Sequence, residues 1–291
     1  MSNASAQSNI TFVDSVEGLL LLLDSIVNLA TEPPSLYIDL EGVALGRRGS
    51  ISILSLHIAP TKETYLIDIY SLKEVAFSTT NSKGTSLKTV LESPTIPKVI
   101  FDIRNDSDAL FGLFGVSVDG IKDLQLMELA TRTGPRGFLS SLLNCIARES
   151  PISAAAKAEW SLTKERGSRL FDPAKGGRYE VFNERPLKSE LVQYCHGDVA
   201  LLPGLYGVYN AKLRQTGEAF WRVHVRHETK ERIKLSQSDG YDARSKGKAV
   251  GWDDEHIREQ MDAWNDEIMM EHIAGDYVLN ENDEWVEASK A

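Results

Sequence analysis

The segment SLYIDLEGVALGRRGSISILSLHIAPTKETYLIDIY, residues 35–70, decides the fold. It contains three apolar runs that we predict to be β-strands, at 35–45, 51–58 and 63–70. Gly- and Pro-containing turn signals separate these runs at 46–49 and 59–62. Because consecutive strands joined by short turns are typical of antiparallel pairing, we expect a three-stranded meander here.

Helical patterns lie on both sides of this meander. A helix predicted at 15–30 ends before Pro33 and Pro34, since the residue before a proline avoids helical geometry. A fourth strand is predicted at 98–103. Further helices are predicted at 105–115, within 116–132, at 138–149, within 152–166, across 188–214 and at 220–235. Strands followed by helices favour an α/β fold with helices flanking a mixed sheet.

Length and composition place the chain among ordinary globular proteins. It has 291 residues, of which 42% are hydrophobic and 25% charged, and these values argue against a disordered or collagen-like chain. We predict three regions. They are residues 1–30, an N-terminal helix packing on the core; residues 31–235, the main domain; and residues 236–291, a linker and an acidic C-terminal extension.

The net charge of −10 argues, taken whole, against nucleic-acid binding. The charge is unevenly distributed, however. Residues 240–291 hold 5 Lys/Arg and 14 Asp/Glu, whereas residues 130–234 hold 18 Lys/Arg and 11 Asp/Glu. The acidic segment also contains Trp252, Trp264 and Trp285, which are unusual in disordered tails. We therefore expect it to pack on the main domain or to bind a protein partner.

The two cysteines, Cys145 and Cys195, form no CxxC pair. This pattern excludes a zinc framework and a secreted disulfide scaffold, so we expect an intracellular protein. Nucleus and cytoplasm both remain open. The apolar run Leu19–Leu23 is too short to span a bilayer, and no membrane association is predicted.

Two acids lie on the first meander strand. Because side chains alternate along a strand, Asp39 and Glu41 share one face. Adjacent buried carboxylates repel each other and lose hydration, so a bound cation would make the pair tolerable. The alternative is an edge strand whose acidic face meets solvent.

Three more candidates lie further along the chain. Asp106 follows the fourth strand, where a strand-to-helix junction either holds a ligand or needs an N-cap. Tyr194 and Asp198 stand four apart on a predicted helix and share one face. Taken alone, this pair is better explained by a core aromatic and a surface charge.

Together, these segments resemble the DEDDy 3′–5′ exonucleases, the superfamily of ribonuclease D, and within it the eukaryotic Exd1/Egalitarian-like branch. The resemblance covers about residues 31–215. It rests on YIDLEG (37–42), KVIFDIRNDSDALFGLFGV (98–116), LFDPAKGGRYEVFNERPL (170–187) and ELVQYCHGDVALLPGLYGVY (190–209). The family implies a ribonuclease H-like (DnaQ-like) fold. Phe101 departs from the His of many relatives, and we interpret this as an effect on packing or substrate fit.

The resemblance also implies a reaction and a set of catalytic residues. It predicts hydrolysis of nucleic acid from a single-stranded 3′ end, with RNA favoured over DNA, by two divalent cations, Mg²⁺ or Mn²⁺. Asp39, Glu41 and Asp198 would hold the first ion, Asp39 would bridge to a second ion supported by Asp106, and Tyr194 would orient the attacking water. The alternative is a catalytically weak module that binds RNA or a protein partner.

A basic loop precedes the helix of Tyr194. Lys175, Arg178 and Arg185 are predicted to contact the phosphate backbone, and Tyr179 to stack on a base. Lys164 is one of several further basic residues near this loop. The alternative is an ordinary solvated loop.

Overall fold

The structure is a computed structural model that describes residues 9–274, 277–280 and 285–287. Its strands are β1 (Ile10–Val13), β2 (Leu36–Glu41), β3 (Ile53–Ile58), β4 (Glu63–Asp68), β5 (Lys98–Ile100), β6 (Ile121–Asp123), β7 (Tyr277–Leu279) and β8 (Trp285–Glu287). Its α-helices are α1 (Val16–Ser25), α2 (Ile69–Leu72), α3 (Val75–Ser78), α4 (Leu87–Glu92), α5 (Arg104–Phe114), α6 (Leu124–Thr131), α7 (Leu142–Glu149), α8 (Ala154–Phe171), α9 (Ser189–Ala200), α10 (Leu202–Leu213), α11 (Ala219–Gln237) and α12 (Asp254–Ala274).

A six-stranded mixed sheet, in the order β1-β4-β3-β2-β5-β6, forms the centre of the described chain. β2, β3 and β4 are antiparallel neighbours, as the meander pattern predicts. β5 and β6 extend the sheet in parallel beside β2, and β1 pairs in parallel with β4 at the other edge. The predicted α/β architecture, a mixed sheet with flanking helices, is confirmed.

The first predicted strand ends earlier than its apolar pattern suggests. β2 stops at Glu41 because residues 43–50 form a turn, in which the amide of Ser50 donates to the Val43 carbonyl at 2.9 Å. Gly42 opens this turn: a Cβ there would lie 1.9 Å from the Ser50 carbonyl oxygen. No larger residue fits at this close approach.

Sequence reasoning missed β1. The strand has only four residues, ITFV, which carry too little pattern to separate it from a loop. It forms because its register with residues 64–67 of β4 completes the sheet edge. The helix expected at 15–30 is shorter, Val16–Ser25, and packs Leu19, Leu22 and Leu23 into the core.

The two faces of the sheet have different roles. Leu36, Ile38 and Leu40 of β2 join the core that α1, α4 and α5 cover. Tyr37 faces the opposite way, toward the apolar cluster that includes residues of α6, α7, α10 and α11. Strand alternation therefore places Asp39 and Glu41 on this second face, which α9 also contacts.

The C-terminal segment packs on the main domain through residues 249–257. The amide of Leu139 donates to the Ala249 carbonyl at 3.0 Å, and that of Gly251 to the Gly137 carbonyl at 2.9 Å. Trp252 then stacks on Trp221, with ring centroids 5.7 Å apart. Ile257 of α12 is buried against the same cluster. The surroundings of the Trp285 side chain lie outside the described residues.

Across the described ranges, no helix combines the length and apolarity needed to cross a bilayer. Both cysteines are buried and unpaired.

Candidate active site

Three carboxylates meet on the second face of the sheet. Asp39 and Glu41 come from β2, and Asp198 comes from α9, which packs over β2 and β3. One ligand oxygen from each lies within 4.8 Å of the others, close enough to hold a single cation. The solvent-facing alternative for the β2 pair does not fit, because helix α9 covers this face.

Tyr194 and Asp198 project from one side of α9, as their spacing of four predicts. Both are buried, so the surface-charge interpretation of Asp198 is excluded. Phe171 packs edge-on against Tyr194, with ring centroids 5.0 Å apart. Gly167 of α8 lies so near that a Cβ there would approach the tyrosine Cδ2 to 2.6 Å. The ring is therefore held between α8 and α9.

The fourth acid, Asp106, lies in the first turn of α5 and is buried. It is not the N-cap, because that position belongs to Ile103, whose side chain makes no capping bond. Asp102 adopts a φ of 64° at the corner before the helix, a conformation that non-glycine residues rarely adopt. The Asp123 carboxylate holds the corner by accepting the amides of Asp102 and Ile103 at 3.1 and 3.3 Å.

Burial and mutual repulsion make this cluster electrostatically costly when it is ionised. Burial, and secondarily the charge of Asp198, raises the pKa of Asp39 to about 7. The pKa of Glu41 is raised by burial and then by Asp39, and the pKa of Asp106 is raised by burial and then by Asp39. Acids in such an environment either take up protons or bind a cation.

Lys164 of α8 supplies one positive charge to the cluster. Its Nζ donates to both carboxylate oxygens of Asp198, at 2.7 and 2.5 Å. The same ammonium lies 3.5 Å from the centroid of the Tyr194 ring. The pKa of Asp198 is raised by burial, and Lys164 opposes that rise.

The site fits a divalent metal ion on three observations. Hard carboxylate oxygens are the ligands that Mg²⁺ and Mn²⁺ prefer, and three of them converge here. Burial and the neighbouring carboxylates raise the pKa values of Asp39 and Glu41, so a cation beside them would favour their ionised forms. Ser55, which pairs with Asp39 across β2 and β3, buries an Oγ that has no hydrogen-bond partner in the described protein.

Basic side chains of the loop before α9 lie at the surface and pair with nearby acids of α8 and of the loop. Lys175 donates to Glu165 at 2.6 Å, and Arg178 forms an ion pair with Glu184 at 2.5 Å. Tyr179 is 38% exposed and stacks on Phe171. These side chains lie at the surface next to the Phe171–Tyr194 contact.

Arg185, which is also predicted to contact phosphate, differs from the rest of the loop because its guanidinium is bonded within the protein. Its Nε donates to the buried carboxylate of Asp68 at 2.6 Å, and its Nη2 bonds the same carboxylate. Its Nη1 donates to the carbonyls of Phe182 and Glu184, both at 2.8 Å. The guanidinium thus fastens the loop to the end of β4, because its donors face the protein.

The C-terminal segment reaches the margin of the site. Asn105, the neighbour of Asp106, accepts from the Tyr241 hydroxyl at 2.8 Å and from the Lys248 ammonium at 2.5 Å. Arg104 donates to the Lys248 carbonyl at 3.0 Å. The linker expected at 236–251 therefore packs against the start of α5.

Sequence reasoning missed the contributions of Lys164, Asp123 and Lys248. Lys164 lies in a helix rich in charged residues, and no local pattern separates it from its neighbours Glu165 and Arg166. Asp123 and Lys248 are remote in sequence from the acids whose surroundings they shape. Phe101 is partly buried against the cluster that contains Tyr37, which agrees with an effect on packing.

The comparisons with known proteins agree with the geometry of the site. Residues 20–213 match the family model described as 3′–5′ exonuclease. The mouse "piRNA biogenesis protein EXD1" is 31% identical over 160 residues, which are 53% of this chain and 25% of that protein. The chain thus spans about a quarter of the length of this curated relative.

Solved structures share the fold at low identity. Trypanosoma brucei RNase D in complex with RNA U12 superposes with a TM-score of 0.64 at 18% identity, covering 87% of this chain and 79% of that one. Brucella melitensis NrnC with bound Mg²⁺ superposes with a TM-score of 0.53 at 16% identity, covering 82% of this chain and 99% of that one. The catalytic core of Trypanosoma brucei RRP6 superposes with a TM-score of 0.52 at 18% identity, covering 81% of this chain and 54% of that one. The ribonuclease H-like exonuclease fold is thereby confirmed.

Proposed function

The chain belongs to the 3′–5′ exonuclease family, and on this premise we propose that it hydrolyses RNA one nucleotide at a time from a single-stranded 3′ end, using divalent metal ions. The observation that carries this proposal is the convergence of Asp39, Glu41 and Asp198 within 4.8 Å on one face of the sheet. Three acids held this close on a covered face have no structural benefit without a cation.

Each site residue has a proposed role that follows from its position. Asp39, Glu41 and Asp198 would hold one ion, and Asp39 and Asp106 a second. When bound, such ions supply an activated water and neutralise charge on the phosphate. Tyr194 orients the water through its hydroxyl. It acts in the protonated form, because burial raises its pKa well above the ordinary value of 10.

The preference for RNA has separate support. One relative is named for piRNA biogenesis, and one structural neighbour was solved with RNA U12. In this chain, Lys175 and Arg178 are exposed on the loop beside Phe171 and are paired with surface acids. Surface ion pairs are weak, so both cations can exchange those partners for backbone phosphates. Tyr179 offers an exposed ring for a terminal base.

A degradation assay tests the proposal. Purified protein is incubated with 5′-labelled single- and double-stranded RNA and DNA oligonucleotides, in Mg²⁺, in Mn²⁺ and in EDTA. We expect progressive shortening of single-stranded RNA from its 3′ end, slower loss of DNA, and none in EDTA. Cleavage that persists in EDTA, or an oligonucleotide that binds but stays intact, would contradict the proposal.

A matched pair of variants locates the activity. Asp198→Asn removes one ligand of the cluster, and we expect the rate to fall about a thousandfold, since metal stabilisation of the transition state amounts to several kcal/mol. Asp266→Asn makes the same change at an exposed position of α12 and should leave the rate unchanged. Equal rates for both variants would show that this cluster is not the active site.

A further inference from the structure

Lys164 lies among the acids that are expected to bind the metal ion. Its ammonium touches both oxygens of Asp198 at 2.7 and 2.5 Å, and it lies over the Tyr194 ring. The side chain of Lys164 is only 19% exposed, and that of Asp198 only 6%. This contact is therefore largely screened from solvent, unlike an ordinary surface ion pair.

Among the described residues, the three converging acids make one ion pair, the contact between Lys164 and Asp198. Asp39 and Glu41 have no lysine or arginine partner among the described ion pairs, and Asp102, which lies near Asp106, is paired with Arg104 and Arg232. One ammonium thus faces several carboxylates. It offsets part of their repulsion and leaves the remainder unneutralised.

The contact with Asp198 puts the ammonium in competition with a metal ion for the same oxygens. A Mg²⁺ ion needs carboxylate oxygens at about 2.0–2.1 Å, and both oxygens of Asp198 already accept from the ammonium. Two cations sharing one carboxylate also repel each other. The lysine has a flexible four-carbon stem and reaches the surface at its partly exposed side, so it can withdraw when an ion enters.

We propose that Lys164 is a built-in cation of the acid cluster, which holds Asp198 in the metal-free protein and competes with the divalent ion for that carboxylate. The inference rests on the proposed metal-dependent function and adds a positioning residue to it. Lys164 stabilises the empty site and lowers its affinity for metal. It therefore sets the metal concentration at which the site fills.

Metal binding without nucleic acid tests this inference. Mn²⁺ affinity is measured by electron paramagnetic resonance for the wild type, Lys164→Gln and Lys157→Gln. Lys157 lies on the same helix, and its ammonium donates to the Ala147 carbonyl at 3.0 Å. We expect Lys164→Gln to bind Mn²⁺ about tenfold more tightly than the wild type, and Lys157→Gln to match the wild type. Unchanged or weaker binding by Lys164→Gln overturns the inference.

Thermal melting in EDTA provides a second readout. Lys164→Gln should melt below the wild type without metal and gain more from saturating Mn²⁺, whereas Lys157→Gln should follow the wild type in both. If Lys164→Gln proves too unstable to purify, Lys164→Arg replaces it. Because the positive charge remains, its Mn²⁺ affinity should stay within about threefold of the wild type, and a tenfold gain there would overturn the inference.

The two proposals fail in different ways. If wild-type protein shortens RNA only with metal, but Lys164→Gln binds Mn²⁺ as the wild type does, the competition is wrong and the nuclease proposal stands. If Lys164→Gln gains Mn²⁺ affinity and the wild type nevertheless degrades no oligonucleotide at saturating Mn²⁺, the competition stands and the nuclease proposal is wrong.

Discussion

At the scale of single residues, the site is defined by carboxylates that the fold keeps close together. Asp39 and Glu41 come from one strand, and Asp198 is brought to them by a helix. Lys164 balances part of their charge. The proposed chemistry thus depends on groups that are unfavourable to the folded protein until a cation binds.

The raised pKa of Asp39 predicts a pH dependence of metal-free stability. Because its folded pKa is about 7 and its unfolded value lies near 4, the folded state holds a proton that the unfolded state releases. This contribution is complete below about pH 4 and is lost as the pH rises through 7. The free energy of unfolding of Asp39→Asn should therefore rise relative to that of the wild type between pH 5 and 7, by at most about 1.4 kcal/mol per pH unit.

Urea denaturation in EDTA at several pH values measures this difference in the free energy of unfolding between the variant and the wild type. The histidines that titrate in the same window are present in both proteins, so their effects cancel in the comparison. Saturating Mn²⁺ should remove the advantage of the variant, because the ion stabilises the ionised wild-type site. Parallel stability curves for the two proteins between pH 5 and 8 would contradict the assignment of Asp39 to the cluster.

At the scale of elements, the close contact between α8 and α9 positions the helix that carries Tyr194 and Asp198. Gly167 of α8 lies against the Tyr194 ring, and a Cβ added at Gly197 of α9 would lie 3.1 Å from the Trp160 Nε1. The Trp160 Nε1 also donates to the Gly197 carbonyl at 3.0 Å. Two glycines at facing positions let the helices approach closely enough for Lys164 to reach Asp198.

Gly167→Ala tests this contact against helix propensity. Alanine favours a helix interior by about 1 kcal/mol over glycine, but here its Cβ would lie 2.6–2.8 Å from Tyr194 atoms. We expect net destabilisation of about 1–3 kcal/mol and a loss of exonuclease activity, because Tyr194 is displaced. Gly207→Ala in α10 meets nothing within 4 Å, so it should be neutral or stabilising. Chemical denaturation and the oligonucleotide assay compare the two, and equal effects would refute the packing argument.

At the scale of the whole molecule, charge is separated along the chain. The basic stretch at 130–234 lies in the domain that carries the acids, while the acidic excess lies at 240–291. The described part of that segment packs on the main domain through Trp252 and Ile257. Its negative charge is therefore held near the domain that carries the acid cluster, where it opposes the approach of a polyanion.

Neutralising exposed acids of α12 should strengthen binding to nucleic acid. The variant Glu255→Gln, Glu259→Gln, Asp266→Asn and Glu267→Gln removes four charges from exposed positions. We expect about threefold tighter binding of single-stranded RNA at about 50 mM salt, and a difference that fades by about 300 mM as the Debye length shortens. The control exchanges Asp and Glu at the same four positions and keeps the charge. Fluorescence anisotropy measures both, and a salt-independent gain would argue against electrostatics.

Much of the fold could be predicted because its signals are local. Alternation in residues 35–70 predicts the meander and places Asp39 and Glu41 on one face, and helical spacing places Tyr194 on the same side of its helix as Asp198. The short strand β1 escaped prediction because four residues carry little periodicity. The turn predicted at 46–49 was placed too late, since the apolar residues Val43 and Leu45 continue the strand pattern beyond Glu41.

The amino-acid pattern thus determines which residue types share a strand face or a helix face, because those relations follow from backbone periodicity alone. Tertiary packing determines which faces meet. The corner held by Asp123 precedes the first turn of α5, which carries Asp106, and the glycine contact of α8 with α9 brings Lys164 to Asp198. The arginine at 185 shows the same limit: its type suggests phosphate binding, but the buried carboxylate of Asp68 holds it in place. Contacts between distant segments leave no periodic trace in the sequence.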